Sequence, residues 1–222
     1  MIERSKKYIS EMFDKLAVNY DRNNNIISLF THKIIKYLVV AGIGKLPETP
    51  KILDLCTGTG DVAEVLIRKY KDATVLGADF SKEMLNIARK KHPDIDFVYA
   101  DCLNLPFNDN TFDLVTMSFG LRNTENYDKT IEEVVRVLKK SGIFVHLDFD
   151  KKSKLADFIF EKIVRLFRNK DYEYLLNSKK EFPDSAGLIK MFENAGLMRN
   201  KTKSFLFGII SAQYVVKHPI NN

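Results

Sequence analysis

Ile52-Leu53-Asp54-Leu55-Cys56-Thr57-Gly58-Thr59-Gly60-Asp61 decides how this chain folds. Ile52, Leu53 and Leu55 make a short apolar run, as a buried strand requires. Asp54 lies near the end of that run, and Gly58, Thr59 and Gly60 form a glycine-rich turn before a helical pattern begins. Glycine has no Cβ, so such a turn lets the backbone come close to a nucleotide. The remaining question is which nucleotide-like cofactor it serves.

Gly58-Thr59-Gly60-Asp61-Val62-Ala63 also fits the dinucleotide pattern G-x-G-x-x-G/A, and Asp79 follows about 20 residues on. Charge separates the two readings. A dinucleotide brings an anionic pyrophosphate to the helix N-terminus. Asp54 and Asp61 flank this turn, and two carboxylates repel a pyrophosphate but suit a cation. S-adenosylmethionine (SAM) carries an ammonium and a sulfonium, so SAM is the expected cofactor, with Asp54, Gly58, Thr59 and Gly60 beside it.

Two further acids agree. Val75–Asp79 reads as a second strand ending in Asp79, placed to accept from both ribose hydroxyls. Phe97–Asp101 reads as a third, with Asp101 placed to accept from the adenine amino group. Alone, any of these acids reads equally as a helix cap or turn residue. Together they mark the carboxyl ends of parallel strands, where α/β sheets bind ligands.

The rest of the chain alternates in the same way. The patterns predict strands at 51–56, 73–79, 95–99, 111–117 and 142–149, with helices at 60–70, 81–91 and 127–140. Ser81 is the expected N-cap of the second of these helices. A helix Ser185–Ala195, stopped by Gly196, precedes strands near 198–206 and 208–217, which a short connection at Gly208 pairs antiparallel. The fold class is therefore α/β: a doubly wound, mostly parallel, seven-stranded Rossmann-like sheet. One domain is expected over residues 1–222, with 1–46 as two or three covering helices.

Residues 151–182 interrupt the alternation. Leu155, Phe158, Ile159, Ile163, Leu166 and Phe167 recur at helical spacing, with Lys154, Lys162, Arg165 and Arg168 between them. This is either a helix whose apolar side packs on the core, or a lid or membrane-facing insertion with cations toward lipid headgroups.

Composition excludes several classes. No segment approaches the roughly 20 apolar residues of a membrane span, and the charged N-terminus lacks a signal-peptide core. Two cysteines, Cys56 and Cys102, fit a reducing cytoplasm and read as small buried hydrophobes rather than catalysts. No Cys/His spacing suggests a metal site. A net charge of +6, with scattered basic residues, allows attraction to the inner face of an anionic membrane. It carries no nucleic-acid signature. A homodimer stays open.

Phe13-Asp14-Lys15-Leu16-Ala17-Val18-Asn19-Tyr20-Asp21, the glycine turn, Leu105-Pro106-Phe107 and Ser118-Phe119-Gly120-Leu121-Arg122-Asn123 resemble the UbiE/MenG family of quinone C-methyltransferases. The resemblance covers nearly the whole chain. The first and last motifs are specific to that family, whereas the glycine turn is common to class I SAM methyltransferases. It implies SAM as cofactor, with Thr59, Asp79, Asp101, Cys102 and Ser118 at SAM-binding positions. It implies Arg122 and Asn123 at the reaction centre, and Tyr20 and Asp21 in an element covering the cofactor. The implied acceptor is a prenylated hydroquinone, foremost demethylmenaquinol converted to menaquinol, with a benzoquinol or another small apolar molecule as the alternative. Thr57, the Asp101-Cys102 pair and Ser211-Ala212-Gln213 depart from the usual family residues, the last being expected to border the ring pocket.

Carbon methylation needs an electron-rich ring, so a proton must leave the hydroquinone hydroxyl. Arg122 is a poor base and is better suited to stabilising a phenolate or orienting a water. His146 reads as a core histidine or as the base, Asp148 as an equally credible pocket residue, and His32 as a histidine approaching from the N-terminal helices. His92 and His218 receive no role.

Overall fold

The computed structural model describes residues 5–18, 20–22, 31–165 and 170–218. Among the described residues, helices α1 (Lys6–Ala17) and α2 (Thr31–Ala41) precede β1 (Lys51–Leu55). Then follow α3 (Asp61–Lys69), β2 (Thr74–Asp79), α4 (Lys82–Lys91), β3 (Asp96–Tyr99) and β4 (Phe112–Ser118). A 3₁₀ turn at Leu121–Asn123 leads into α5 (Tyr127–Val137) and β5 (Leu138–Phe149). The chain continues through α6 (Lys154–Arg165), α7 (Lys170–Glu181), α8 (Ser185–Asn194), β6 (Leu197–Phe205) and β7 (Ile210–Lys217).

The strands form the expected seven-stranded sheet, and its order is β3-β2-β1-β4-β5-β7-β6. β1 to β5 pair in parallel, and β7 runs antiparallel between β5 and β6. The strand order reverses between β1 and β4, which opens the crevice where such sheets take ligands. β1 is covered on both faces: Ile52 enters the core beneath α2 and α3, while Leu53 and Leu55 enter the opposite core beneath α5 and α8. That double burial is why its sequence reads as a near-continuous apolar run rather than an alternating one.

Local chemistry sets the helix ends. Ser81 caps α4 as expected, its hydroxyl accepting from the Met84 amide at 3.2 Å. Asn126 caps α5 and Asp184 caps α8 in the same way. Gly196, at φ +91°, takes the left-handed conformation that ends α8.

The expected helix 127–140 is shorter than its periodicity suggests. It stops at Val137, and Leu138 already pairs with Phe112 in the sheet. Lys217 explains the stop: its ammonium donates to the Val135 and Leu138 carbonyls, each at 2.7 Å, and so caps the helix from a distant strand. Ser141 then turns at φ +62°, where the register with β4 shifts.

The core-packed reading of the insertion fails for its first turns. Leu155, Phe158 and Ile159 on α6 are 70%, 59% and 50% exposed, while Ala156 and Val164 face inward. Leu166 and Phe167, and the side chain of Ile163, lie outside the described residues. No helix among the described residues is long and apolar enough to cross a membrane.

Candidate active site

Two cavities meet above the carboxyl ends of β1, β2 and β4. The smaller, about 90 Å³, is lined by Asp79, Asp101, Cys102, Asn123 and, from α1, Lys6, Ile9 and Phe13. The larger, about 490 Å³, is lined by His32, Asp54, Thr59, Arg122 and a wall of apolar side chains including Phe149, Phe160, Phe207 and Ile210. Tyr20, Cys56, Gly58, Ser118 and Phe119 line both, so they form the passage between them.

Asp79 is the best-anchored acid. One of its oxygens accepts from the Phe80 and Ser81 amides at 2.8 and 2.9 Å, and the other from the Gly58 amide at 2.8 Å. The carboxylate thereby ties the glycine turn to the end of β2. Burial pushes its pKa up, against the pull of those amides. Gly58 adopts φ +57° and has open space where a Cβ would stand, the nearest atom being a Tyr20 ring carbon at 4.0 Å. Gly60 lines neither cavity. Its bare Cα lets the turn pack against His92 and Phe97, which a Cβ would meet at 2.7 and 3.0 Å.

Asp54 is placed differently from the expected cation partner. It lies within β1, almost wholly buried, and its two oxygens accept from the Thr57 and Thr116 hydroxyls, each at 2.6 Å. Burial raises its pKa to about 6, although both hydroxyls oppose the shift. It lines the larger cavity only. Thr57 and Thr116 together therefore hold this acid.

Asp61 also differs from the sequence argument. Its carboxylate meets Lys36 at 3.3 Å and Lys91 at 3.0 Å. Burial works against its ionisation, but the two ammonium charges outweigh it and hold the carboxyl well below its usual range. Lys91 also pairs with Asp21 at 2.7 Å, and the Thr59 hydroxyl donates to Asp21 at 2.7 Å. This network clamps the Tyr20–Asp21 element onto the glycine turn. The single-letter pattern showed the acids but not the lysines, which arrive from α2 and α4.

Asp101 accepts from the Leu103 amide at 2.9 Å and pairs with Lys6 of α1. Lys6 also uses its backbone amide on Glu125. The Lys6 contact had no signal in the sequence, because it joins residues on two unrelated elements.

The Ser118–Asn123 motif divides its work. Phe119, at φ +56°, throws the chain into the cleft. Gly120 then passes so close to Cys56 that a Cβ would sit 2.6 Å from that residue's own Cβ. Arg122 faces the larger cavity and Asn123 the smaller. The Arg122 guanidinium donates to the Phe119 carbonyl at 3.0 Å and meets Asp148 at 3.2 Å. It lies 5.1 Å from the Phe149 ring centroid, a cation–π distance. Asn123 donates to the same Phe119 carbonyl and accepts from the Tyr174 hydroxyl of α7 at 3.1 Å.

Among the histidines, His32 reaches the larger cavity. Burial, helped by the Lys36 charge, pushes its pKa down to about 4, so its imidazole is neutral at physiological pH. His146 lines neither cavity: it is fully buried in β5, with Nδ1 2.8 Å from the Gln213 side-chain oxygen. Ser211 and Gln213 likewise line neither cavity, and the Gln213 amide donates to the Ser211 hydroxyl at 2.6 Å. The departure expected to border the ring pocket instead braces a core histidine behind Asp148, while the neighbouring Ile209 and Ile210 reach the cavity.

The model of the ubiE/COQ5 methyltransferase family matches residues 1–217. A demethylmenaquinone methyltransferase of Staphylococcus saprophyticus is 35% identical, over 92% of this chain and 94% of that protein. Another, from Staphylococcus aureus strain JH9, is 33% identical over 98% and 96%. A SAM-dependent methyltransferase of Thermotoga maritima superposes with a TM-score of 0.70 at 19% identity, over 94% of this chain and 99% of its own. One from Aquifex aeolicus gives 0.67 at 18%, over 92% and 98%. At those identities the two structures speak for the fold alone. With the strand-end acids, the two joined cavities and a family model spanning almost its full length, the chain belongs to the ubiE/COQ5 methyltransferase family and is a SAM-dependent methyltransferase.

Proposed function

We propose that the protein transfers the SAM methyl group to a ring carbon of demethylmenaquinol. The observation that carries this reading is the apolar cavity of about 490 Å³ that opens onto the cofactor cavity through Tyr20, Gly58, Ser118 and Phe119. Its volume falls in the range of small-molecule sites, roughly 300–1,000 Å³. Its walls suit a fused aromatic ring, and polar groups on it, among them Arg122, His32, Asp54 and Lys36, suit the hydroxyls.

The residues present fit SAM. Asp79 is positioned for the ribose hydroxyls and Asp101 for the adenine amino group, on the wall that the Gly58 turn leaves open. When bound, SAM supplies an electrophilic methyl on a good leaving group. The chain's task is then alignment, exclusion of water and management of one proton. Arg122 stays cationic and is positioned to stabilise phenolate charge. On this cavity the neutral His32 imidazole is the proposed proton acceptor.

The small cavity is tighter than a nucleoside needs, because Lys6, Ile9 and Phe13 of α1 stand in it. Cofactor entry therefore displaces α1 and releases Lys6 from Asp101.

The mouth of the larger cavity is the proposed membrane contact. Phe207, at φ +54° and 92% exposed, projects beside Ile159 of α6, and both line the cavity. Lys152, Lys154, Lys162 and Arg165 lie on or next to the same helix. Its two acids are already matched: Asp157 meets Lys179 at 2.6 Å and Glu161 meets Lys180 at 3.6 Å. A basic rim around exposed aromatics suits anionic headgroups and lets a prenyl tail stay in lipid while the ring enters.

Product mass spectrometry after incubation with SAM and chemically reduced demethylmenaquinone tests the reaction. A ring-methylated product is expected. Methylation of a benzoquinol in its place would move the acceptor, and no methylated quinol of either kind would overturn the reading.

A further inference from the structure

His146 is wholly buried, and it lines neither cavity. It stands two residues before Asp148 on β5, on the same face of the strand. Its Nδ1 lies 2.8 Å from the Gln213 side-chain oxygen, and the Gln213 amide is committed to the Ser211 hydroxyl at 2.6 Å. A carboxamide oxygen only accepts, so Nδ1 carries the hydrogen. In the neutral ring Nε2 then bears a lone pair, 4.0 Å from Asp148 Oδ2 and too far for a hydrogen bond. Asp148 Oδ1 accepts from the Phe149 amide at 2.8 Å and from Arg122 at 3.2 Å. Among the described residues, neither Oδ2 nor His146 Nε2 has a hydrogen-bond partner. Two buried acceptors thus face one another with no donor between them, an arrangement that costs free energy until a hydrogen enters.

We propose that His146 is a positioning residue for methyl transfer: as charge develops on the acceptor beside Arg122, its Nε2 takes up a proton and holds it against Asp148. The inference rests on the reading of Arg122 as the partner of the phenolate.

A proton on Nε2 turns the two facing acceptors into a donor and an acceptor, and closing to about 2.8 Å makes a charge-assisted hydrogen bond. Asp148 then shares its negative charge with the imidazolium, which leaves more of the Arg122 charge for the phenolate. Imidazole, carboxylate and guanidinium sum to no net charge before uptake and to a single positive charge after it, which balances the phenolate. At rest, burial holds the imidazole neutral, the Arg122 charge acts the same way, and Asp148 and the Gln213 contact oppose them. The charges that act on the ring are those of Asp148 and Arg122. Gln213 and Ser211 of β7 are uncharged, and the Phe144, Phe182 and Phe192 ring centroids lie 6.1, 6.1 and 5.7 Å away. Such rings favour a cation over an aliphatic surround. A phenolate beside Arg122 adds negative charge to the cluster and so favours uptake. The proton comes from the medium, while the hydroquinone proton goes to His32. Methyl transfer neutralises the ring, and the proton leaves His146 again.

The test uses the full chain and two amide substitutions that each copy one ring nitrogen. His146→Gln sets a permanent N–H donor at the place of Nε2, toward Asp148. His146→Asn sets its amide at the place of Nδ1, keeps the Gln213 contact and gives Asp148 nothing. His146→Asn should lower kcat about tenfold, the scale of one hydrogen bond to a charged group, with SAM affinity and the acceptor KM within about twofold. His146→Gln should recover most of that loss. The ratio of wild-type kcat to that of His146→Asn should shrink as pH rises from about 6 to 9, because the imidazole loses its proton. The ratio between the two variants should stay flat, since an amide does not titrate. Equal losses in both variants, recovery by His146→Asn in place of His146→Gln, or pH-independent ratios throughout would each overturn the proposal. In an Arg122→Ala background His146→Asn should cost nothing further, and an undiminished loss there would overturn it too. Arg122→Ala with wild-type kcat would instead refute the arginine reading, and the proposal with it. Should neither variant fold, the wild type decides by ¹⁵N spectroscopy of its histidines with S-adenosylhomocysteine and the anion of 2-hydroxy-1,4-naphthoquinone bound. The His146 signals, recognised by their contacts with the three phenylalanine rings, should show both ring nitrogens protonated. A bare Nε2 in that complex would overturn the inference.

Discussion

The two cavities are built on opposite plans. On the cofactor side, Asp79 is held by three backbone amides, and the Asp21–Lys91–Asp61–Lys36 network locks the N-terminal element to the turn. On the acceptor side, apolar walls stand beside a buried ion pair, Arg122 with Asp148, and Ile159, Leu206 and Phe207 make an exposed apolar mouth. A ligand of constant structure rewards fixed hydrogen bonds, which lose little freedom on binding. A greasy acceptor with a long tail rewards shape, an open mouth and charge placed for the transition state. Damage to the first side should therefore appear in SAM affinity, and damage to the second in turnover or membrane partition.

Arg122→Ala should show the largest effect. We expect kcat to fall about 10²–10³-fold, the scale of losing a charge that stabilises a developing anion, with SAM affinity nearly unchanged. It also strands Asp148, so a melting curve should show a loss of about 3 kcal/mol. Wild-type turnover would remove the arginine from the chemistry. Asp79→Ala comes next, with SAM binding weaker by about 100-fold in calorimetry, as expected when charge-assisted hydrogen bonds to a diol are lost. If affinity held while kcat fell, the division between the two sides would break.

Phe207→Ser should lower partition onto anionic vesicles by about tenfold, the scale of one phenyl group withdrawn from lipid. Equal partition would leave the aromatic mouth as a lid alone. His32→Gln should cost about tenfold or more in kcat if the imidazole takes the proton. It also carries a stability signature. The folded pKa of about 4 lies below the ordinary 6.5, so acidification through that window protonates the unfolded chain first and destabilises the wild type. Asp54 has the opposite sign, since its folded pKa of about 6 exceeds the ordinary 3.8, and its contribution is lost as pH rises through 6. The melting temperature of His32→Gln minus that of wild type should therefore rise as pH falls from 6.5 to 4. A flat difference would place His32 in solvent. The smallest effect belongs to Lys6→Ala, which should speed SAM association about two- to threefold by removing a surface-accessible pair. Unchanged stopped-flow rates would mean that α1 opens without regard to that contact.

Much of this is legible in the sequence alone. The glycine turn, Asp79 at the end of β2 and the N-cap at Ser81 each depend on a few neighbouring residues, so local pattern suffices to find them. The sequence pattern of helix 127–140 runs too long because Lys139 and Lys140 are good helix formers, and Lys217, which caps the helix end, lies on β7, far along the chain though beside β5 in the sheet. Leu155, Phe158 and Ile159 have helical spacing, but spacing does not say whether an apolar stripe meets a core or solvent.

The order of strands and helices, the sheet and the cofactor class follow from periodicity and short motifs, because those are properties of neighbouring residues along the chain. The partners of charged groups do not. Asp61 read as a bare acid until Lys36 and Lys91 came together from two helices, and Asp54 until Thr57 and Thr116 enclosed it. The passage joining two unlike cavities likewise belongs to folding, since electrostatic and contact energies depend on distance through space and not along the chain.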